Sequence, residues 1–337
     1  MRIGRAGLAL VILALVFFGA GAVSYFVGAG GETVRVEIKN DSVDEVGRVL
    51  RDARVLTPWK SFVFAIVSGA GGAARSFHPG IFLIPRRASV RQIIRILSAK
   101  GRVEVTATIP EGSSLREVAV ILLKAGLIEN AESFLAITGQ PAQLSSPPKI
   151  SPDDFPFLKE KPGSISLEGY LFPDTYRFFA DARPEEIARK LLATFEKKNA
   201  DFRETAGRSG FTFHEILTLA SIVESEVRSD EDRRLVADIF SRRLKAGIPL
   251  QADSTVNYVS GKKSVFTSAA ARAADNPWNT YKYRGLPPGP IGNPGSAAIR
   301  AVLERKPNVF WYFLTAPDGK VYYARTLEEH VLNKKNL

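Results

Sequence analysis

VEVTATIPEGSSLREVAVILLKAGLI, residues 103–128, reads as one strand followed by one helix. The first residues alternate apolar and polar, the period of a half-buried strand. Ser114 and Glu117 then stand in the Ser-x-x-Glu spacing of a capping box. The serine oxygen accepts from an orphan amide of the first turn, and the glutamate reaches back to the cap, so the helix start is well marked. An amphipathic helix follows. The same order recurs at VRVEIKNDSVDEVGRVLRDARVL (34–56), with Ser42 and Glu45 as the cap. It returns at HPGIFLIPRRASVRQIIRILSAKG (78–101), with Ser89 and Gln92 in those roles. Repeated strand-plus-helix units of this size predict an α+β fold assembled from small modules.

The composition around these units is that of an ordinary globular protein. Of 337 residues, 45% are hydrophobic and 24% charged, which excludes a disordered, collagen-like or coiled-coil chain. The length suits roughly two domains. With no cysteine there is no disulfide framework, zinc-thiolate site or thiol nucleophile. His78, His214 and His330 are the only histidines and are far apart, so no metal centre and no cofactor is expected.

Ala6–Gly31 contains no charged residue over its 26 positions, and a helix needs about 20 apolar residues to cross the hydrocarbon core. Arg2 and Arg5 precede this run and Glu32 follows it, which predicts a single-pass transmembrane helix with a cytoplasmic N-terminus and everything after residue 31 exported. Ala20-Gly21-Ala22 has the form of a signal-peptidase site, but the apolar run continues through Val23–Val27, which favours an uncleaved anchor. The formal charge is +11, of which +9 remains once Arg2 and Arg5 are set aside. A basic exported domain is drawn to anionic head groups or acidic wall polymers; nucleic acid is not an expected partner on that side of a membrane. The domain reading is therefore 1–31 cytoplasmic tip and anchor, 32–108 small α+β region, and 109–337 a mixed α+β domain.

Within the last of these, 141–164 (PAQLSSPPKISPDDFPFLKEKPGS) is rich in Pro and Ser, lacks periodicity and reads as a loop or linker. Helices are predicted over 184–206, 211–229 and 230–247, and a hairpin about Pro317-Asp318-Gly319 followed by a short helix. Three polar clusters stand out: SLEGYLFPDTYRF (166–178), LQADSTVNY (250–258) and NPWNTYKYRGLPPGPIGNPG (276–295). A stiff Pro/Gly loop bearing aromatics and amides suits carbohydrate, because flat rings stack on sugar faces and amides bond hydroxyls. Structural turns explain each cluster alone equally well.

The 213–227 helix carries an apolar stripe at Ile216, Leu219, Ala220, Val223 and Val227, with Glu224 and Glu226 on opposite flanks. A boundary carboxyl is partly desolvated and suits a general acid. Two solvated helix carboxylates give the same pattern, and periodicity does not choose between the glutamates. No P-loop, dinucleotide fingerprint, GxSxG elbow or HExxH is present.

LEGYLFPDTY, LASIVESE, LQADSTVNY and NTYKYRGLPPGPIGNPG, in this order, resemble the signature blocks of the MltG-type (YceG-like) endolytic murein transglycosylases. The resemblance covers roughly residues 32–337 and implies a LysM-like N-terminal region ahead of a catalytic domain. It implies cleavage of the β-1,4 bond between N-acetylmuramic acid and N-acetylglucosamine without water, leaving 1,6-anhydro ends, by a protein of the cell (inner) membrane that faces peptidoglycan, with peptidoglycan synthases as candidate partners. Glu224, the first glutamate of VESE, is the implied acid/base. Gln251, Asp253, Thr255, Tyr258, Asn279, Tyr281, Glu168 and Tyr170 are the implied substrate-binding residues. Three departures are visible: Ser225 stands where the family usually has Lys, Ser254 where Pro is frequent, and Trp278 where Tyr is common, keeping a flat ring for sugar stacking. Two other readings fit the same residues. One is a non-catalytic peptidoglycan-binding protein; the other is a hydrolase pairing Glu224 with Asp253 or Asp174.

Overall fold

The computed structural model describes residues 32–70, 77–98, 104–207, 209–261 and 267–336, with Gly19, Val23, Ser24, Phe26 and Gly28. The rest of the apolar run read as an anchor lies outside the described residues. Among the described residues no helix is long and apolar enough to cross a membrane. The chain divides into two compact units, one of residues up to Val105 with Phe179–Asp181, the other of Thr106–Phe178 and Ala182–Leu337.

The first unit runs β1 (Thr33–Ile38), α1 (Val43–Asp52), α2 (Pro58–Ala70), β2 (Gly80–Pro85) and α3 (Val90–Ser98). β1 and β2 pair antiparallel, from Thr33 opposite Pro85 to Ile38 opposite Gly80. The alternation in sequence becomes alternation in space: Val36 and Ile38 of β1 and Phe82 and Ile84 of β2 turn inward. They meet Val46 and Leu50 of α1, Phe64 of α2 and Val90, Ile93 and Leu97 of α3 in one core. Of the two caps expected here, Ser89 and Gln92 form theirs, with bonds of 2.9 and 3.2 Å between each side chain and the other's amide. Ser42 does not: its side chain caps nothing, and Glu45 pairs instead with Arg48 at 2.6 Å.

The second unit begins in β3 (Glu104–Thr108), which pairs with β4 (Thr175–Phe179). It continues with α4 (Leu115–Lys124), α5 (Ala131–Thr138), α6 (Pro184–Ala206), α7 (Phe213–Glu226), α8 (Asp230–Lys245), α9 (Asp253–Ser260), α10 (Ala269–Arg272) and α11 (Ser296–Leu303), then β5 (Tyr312–Thr315), β6 (Val321–Ala324) and α12 (Leu327–Asn333). The hairpin turns where expected, with Gly319 donating to the Ala316 carbonyl. Ser114 and Glu117 form the complete capping box at the start of α4, and Thr212 and Glu215 form one at α7.

α7 departs from the amphipathic reading. Every residue from Ile216 to Val223 is buried, as are Phe213 and His214, because α8, α9 and α11 pack around it. A helix encased in this way must satisfy its polar side chains internally. Thr218 donates to the His214 carbonyl at 2.8 Å, and Ser221 donates to that of Thr218 at 2.8 Å while accepting from the Ile291 amide at 3.0 Å. His214 Nε2 lies 2.9 Å from the Pro288 carbonyl, which only a protonated nitrogen satisfies, so Nδ1 accepts from the Tyr170 hydroxyl at 2.8 Å.

The Pro/Ser-rich stretch 141–164 is also not a free linker. It closes back on α5, with the Lys149 amide on the Ile137 carbonyl at 2.9 Å and the Leu167 amide on that of Thr138 at 2.7 Å. Phe157 enters the core against Tyr170 and Phe195. Gly139 makes the closure possible: its φ is +87°, and a Cβ there would lie 2.4 Å from the Ser146 carbonyl oxygen. Gly139→Ala is expected to cost roughly 2–4 kcal/mol in urea denaturation, combining a left-handed backbone with a steric clash.

Glu168, expected to meet substrate, is buried at the start of α4 instead, where both of its oxygens accept from the Leu115 amide at 2.8 and 3.1 Å. Burial pushes its carboxyl up to about 8, against the opposing pull of Leu115, Tyr258 and Arg116. The unfolded chain therefore binds fewer protons than the folded one between its ordinary value of 4.5 and about 8. The contribution is complete below that window and is lost as pH rises through it. Urea midpoints at pH 5 and pH 8.5 check this: the parent should lose stability relative to Glu168→Gln as pH rises, and a pH-independent difference contradicts it.

Candidate active site

The last turn of α7 delivers two carboxylates in different directions. Successive helix positions turn by about 100°, so Glu224 and Glu226 diverge by about 200°. Val227 then leaves the helix in an extended conformation, φ −144°.

Glu224 points toward the α8 and α11 starts. Its side chain is 6% exposed, and Arg233 of α8 holds Oε1 through Nη2 at 2.5 Å. Arg233 also pairs with Asp230 at 2.9 Å. The Gly295 amide, at the N-cap of α11, donates to Oε2 at 3.1 Å. Glu111 completes the group: its carboxyl rises above the ordinary range through burial and then through the Glu224 charge, with Arg233 opposing. Gly295 is required by this approach, because a Cβ there would lie 2.0 Å from Glu111 Oε1. Glu111 and Gly112 also line a cleft of about 350 Å³, whose other walls include Ser113, Val120 and Ile121. Gly112 and Ser113 are strapped to the Pro/Gly loop. The Gly112 amide donates to the Asn293 carbonyl at 2.8 Å and the Asn293 amide to that of Ser113 at 2.9 Å. Asn293 Nδ2 adds a second bond to the Ser113 carbonyl at 2.8 Å.

Glu226 points toward the 250–258 block. Its Oε1 accepts from the Ser254 hydroxyl at 2.7 Å and amide at 3.3 Å. Burial raises its carboxyl, the Ser254 bonds oppose, and the Asp253 charge adds to the rise. Asp253 Oδ1 in turn accepts from the Tyr281 hydroxyl at 2.8 Å and from Thr267. The Thr315 hydroxyl, on β5, donates to the Glu226 carbonyl at 2.9 Å.

The residues singled out in sequence therefore separate. Asp253 and Tyr281 gather beside Glu226, not Glu224, and Gln251 lies one turn of chain away with its amide on the Thr280 carbonyl. Thr255 is fully buried and bonds the Ala252 carbonyl and Thr280. Asn279 is fully buried and donates to the Arg272 and Ala274 carbonyls. Tyr258 lies under the Arg116 guanidinium, its hydroxyl accepting from the Ala142 amide at 3.1 Å. Tyr170 is buried on His214. These four side chains hold the loops in shape. Trp278, expected to offer a ring to sugar, is 2% exposed and donates through Nε1 to the Gly289 carbonyl, so it fixes the Pro/Gly loop from inside. Arg233, Glu111 and Gly295 carried no local signal. Glu111 and Gly295 meet Glu224 across a long stretch of chain, and Arg233, nine residues on, meets it across the break between α7 and α8, so only the fold makes them neighbours. Among the described residues no cluster of His, Asp and Glu has the geometry to hold a metal ion.

Comparison with known proteins places this architecture. Residues 36–336 match the family described as YceG-like. A protein of Streptococcus pneumoniae serotype 2 named endolytic murein transglycosylase is 32% identical over 273 residues, which are 75% of this chain and 49% of that protein. One of Bacillus subtilis with the same name is 29% identical over 306 residues, 88% of this chain and 83% of that one. The chain thus spans about half the length of its pneumococcal relative. The crystal structure of a yceG-like protein from Listeria monocytogenes superposes with a TM-score of 0.59 at 28% identity, covering 90% of this chain and 99% of that one. With nearly its whole length matched by the family and a solved member sharing its fold, the chain belongs to the YceG-like family.

Proposed function

We propose that the protein is a membrane-anchored endolytic lytic transglycosylase that cuts peptidoglycan strands between N-acetylmuramic acid and N-acetylglucosamine. Residues 6–31 are its single-pass anchor, with the N-terminus cytoplasmic and both units outside. The first unit, whose strand–helix–helix–strand order and antiparallel pair suit a LysM-like module, holds the wall. The second unit carries the chemistry. The activity reading is supported by the names of the relatives and by one observation above others: a nearly buried glutamate at the end of an encased helix, next to residues that line a cleft.

In this reading Glu224 works alone, where ordinary glycosidases need a pair of carboxyls. Its proton passes to the leaving glycosidic oxygen as the bond from C1 breaks. Its carboxylate then takes the proton of the C6 hydroxyl as that oxygen bonds to C1, closing the 1,6-anhydro ring. No water is consumed. Arg233 and the Gly295 amide occupy both oxygens of Glu224 in the free chain, so they stabilise the carboxylate that follows proton donation. The substrate oxygen replaces the Gly295 amide at Oε2. The apolar wall of Val120 and Ile121 suits N-acetyl methyl groups, and the Ser113 and Glu111 side suits hydroxyls.

A second reading rests on Glu226, whose burial-raised carboxyl stands among Ser254, Asp253 and Tyr281. Paired variants separate the two. Glu224→Gln should reduce release of anhydro-ended glycan by about 10²–10⁴-fold in a chain that still folds, with a lowered thermal midpoint because Arg233 loses its ion-pair partner. Glu226→Gln should leave the anhydro product in place at a lower rate. The reverse pattern moves the acid to Glu226. Reaction in ¹⁸O-labelled water checks the missing water: label in the new end group identifies a hydrolase, and unlabelled anhydro ends support the transglycosylase.

A further inference from the structure

Arg243, in the last turn of α8, is a buried cation that the reading above leaves without a task. It is 7% exposed, its Nε has no hydrogen-bond partner, and its Nη2 donates only to Gln251 Oε1 at 3.1 Å. Its neighbour Arg242 pairs with Asp238 at 2.9 Å, whereas among the described residues no carboxylate pairs with Arg243. The carboxylates on adjoining elements are committed elsewhere, Asp253 to Tyr281 and Thr267, and Glu226 to Ser254.

The surroundings hold the guanidinium nearly buried without neutralising its charge. Its carbon sits 5.5 Å from the Tyr312 ring centroid, which supports it from one face. Tyr312 also stacks on His330 at 5.4 Å, and His330 Nδ1 is a second buried nitrogen with no partner. Gln251 reaches Arg243 from a backbone at φ +54°, a conformation that costs a non-glycine residue and persists only where the surroundings impose it. Burial pulls the Arg243 guanidinium below its ordinary range, with Tyr312 and Tyr281 opposing. A planar fork with free N–H groups, flanked by an amide, is the chemistry that recognises a carboxylate.

We infer that Arg243, with Gln251 beside it, receives a carboxylate from the peptide stems of the glycan, two residue clusters away from Glu224 on the same unit. The inference rests on the proposed peptidoglycan substrate, but not on which glutamate is the acid. It gives the enzyme a means of sensing the stem as well as the sugar.

The test is direct binding by the full chain in detergent micelles, read by calorimetry. The probes are a disaccharide–tetrapeptide with free stem carboxylates and the same molecule with those carboxylates amidated. Neither contains the scissile bond, so turnover does not interfere. Amidation should weaken binding to the parent chain about tenfold, the scale of one charge-assisted hydrogen-bond pair. Arg243→Gln should bind both probes alike, and Arg243→Lys should recover part of the difference. If Arg243→Gln fails to fold, Gln251→Gly replaces it, since glycine accepts the left-handed backbone while removing the amide. An unchanged preference in the variants, or no preference in the parent, overturns the assignment of Arg243. Binding of neither probe overturns it together with the peptidoglycan reading, whereas a Glu224→Gln chain that still cleaves overturns only the choice of Glu224 as the acid.

Discussion

The encasement of α7 is the constraint on which the rest of the second unit depends. Ten of its fourteen residues are buried among neighbouring helices, and their serine, threonine and histidine groups are satisfied inside the protein. A rotation of the helix about its axis would break the Ile291 amide bond to Ser221 and the bonds of His214 to Tyr170 and Pro288, and would turn Glu224 and Glu226 off their partners, each a costly outcome. The helix is therefore fixed in rotation as well as position. Its final turn emerges at one angle, and the directions of both glutamates follow from the packing beneath them.

The Arg233–Glu224 pair depends on that rigidity. Taking two charges largely out of water is costly, and their attraction compensates only when geometry is good and the remaining donors and acceptors are met. Here Gly295 meets the second oxygen of Glu224 and Asp230 the second arm of Arg233. The pair ties the end of α7 to the starts of α8 and α11. Asn293 ties the same region to Gly112 and Ser113, so the cleft-lining loop after β3, the Pro/Gly loop and the end of α7 are joined by one set of bonds.

Much of the secondary structure was legible in the chain. Alternation at 34–38 and 80–85 marked paired strands, and Ser114-x-x-Glu117 marked a helix start, because both signals are local. The box at Ser42 does not close: the Ser42 amide that Glu45 would meet is held by Asn40 Oδ1 at 3.1 Å, and Glu45 turns to Arg48 instead. The stripe on α7 misled, since a helix buried on all sides differs from a half-buried one only in what packs on its outer face, which no window of sequence contains. The site was legible in type more than in place. The amide- and tyrosine-rich blocks were recognisable, yet Thr255, Asn279, Tyr170 and Trp278 turned out to shape loops from within. Polar residues that bond buried backbone look the same in sequence as those that meet a ligand. Glu111 was illegible because it meets Glu224 from a distant segment, and Arg233 and Arg243 because they reach Glu224 and Gln251, nine and eight residues away, past the end of a helix, where no periodicity links them.

The segment 141–164 has a composition that elsewhere marks a tether, but here Phe155, Phe157 and Leu158 are anchored in the interior and Lys161 is enclosed with its ammonium on the Pro162 and Ile165 carbonyls. Fusion tags or epitope insertions placed there, where low complexity invites them, would be felt throughout the interior. Its prolines serve as stiffeners, limiting the shapes available to a covering that is sewn down at intervals. What reads as slack in the chain is a fitted lining.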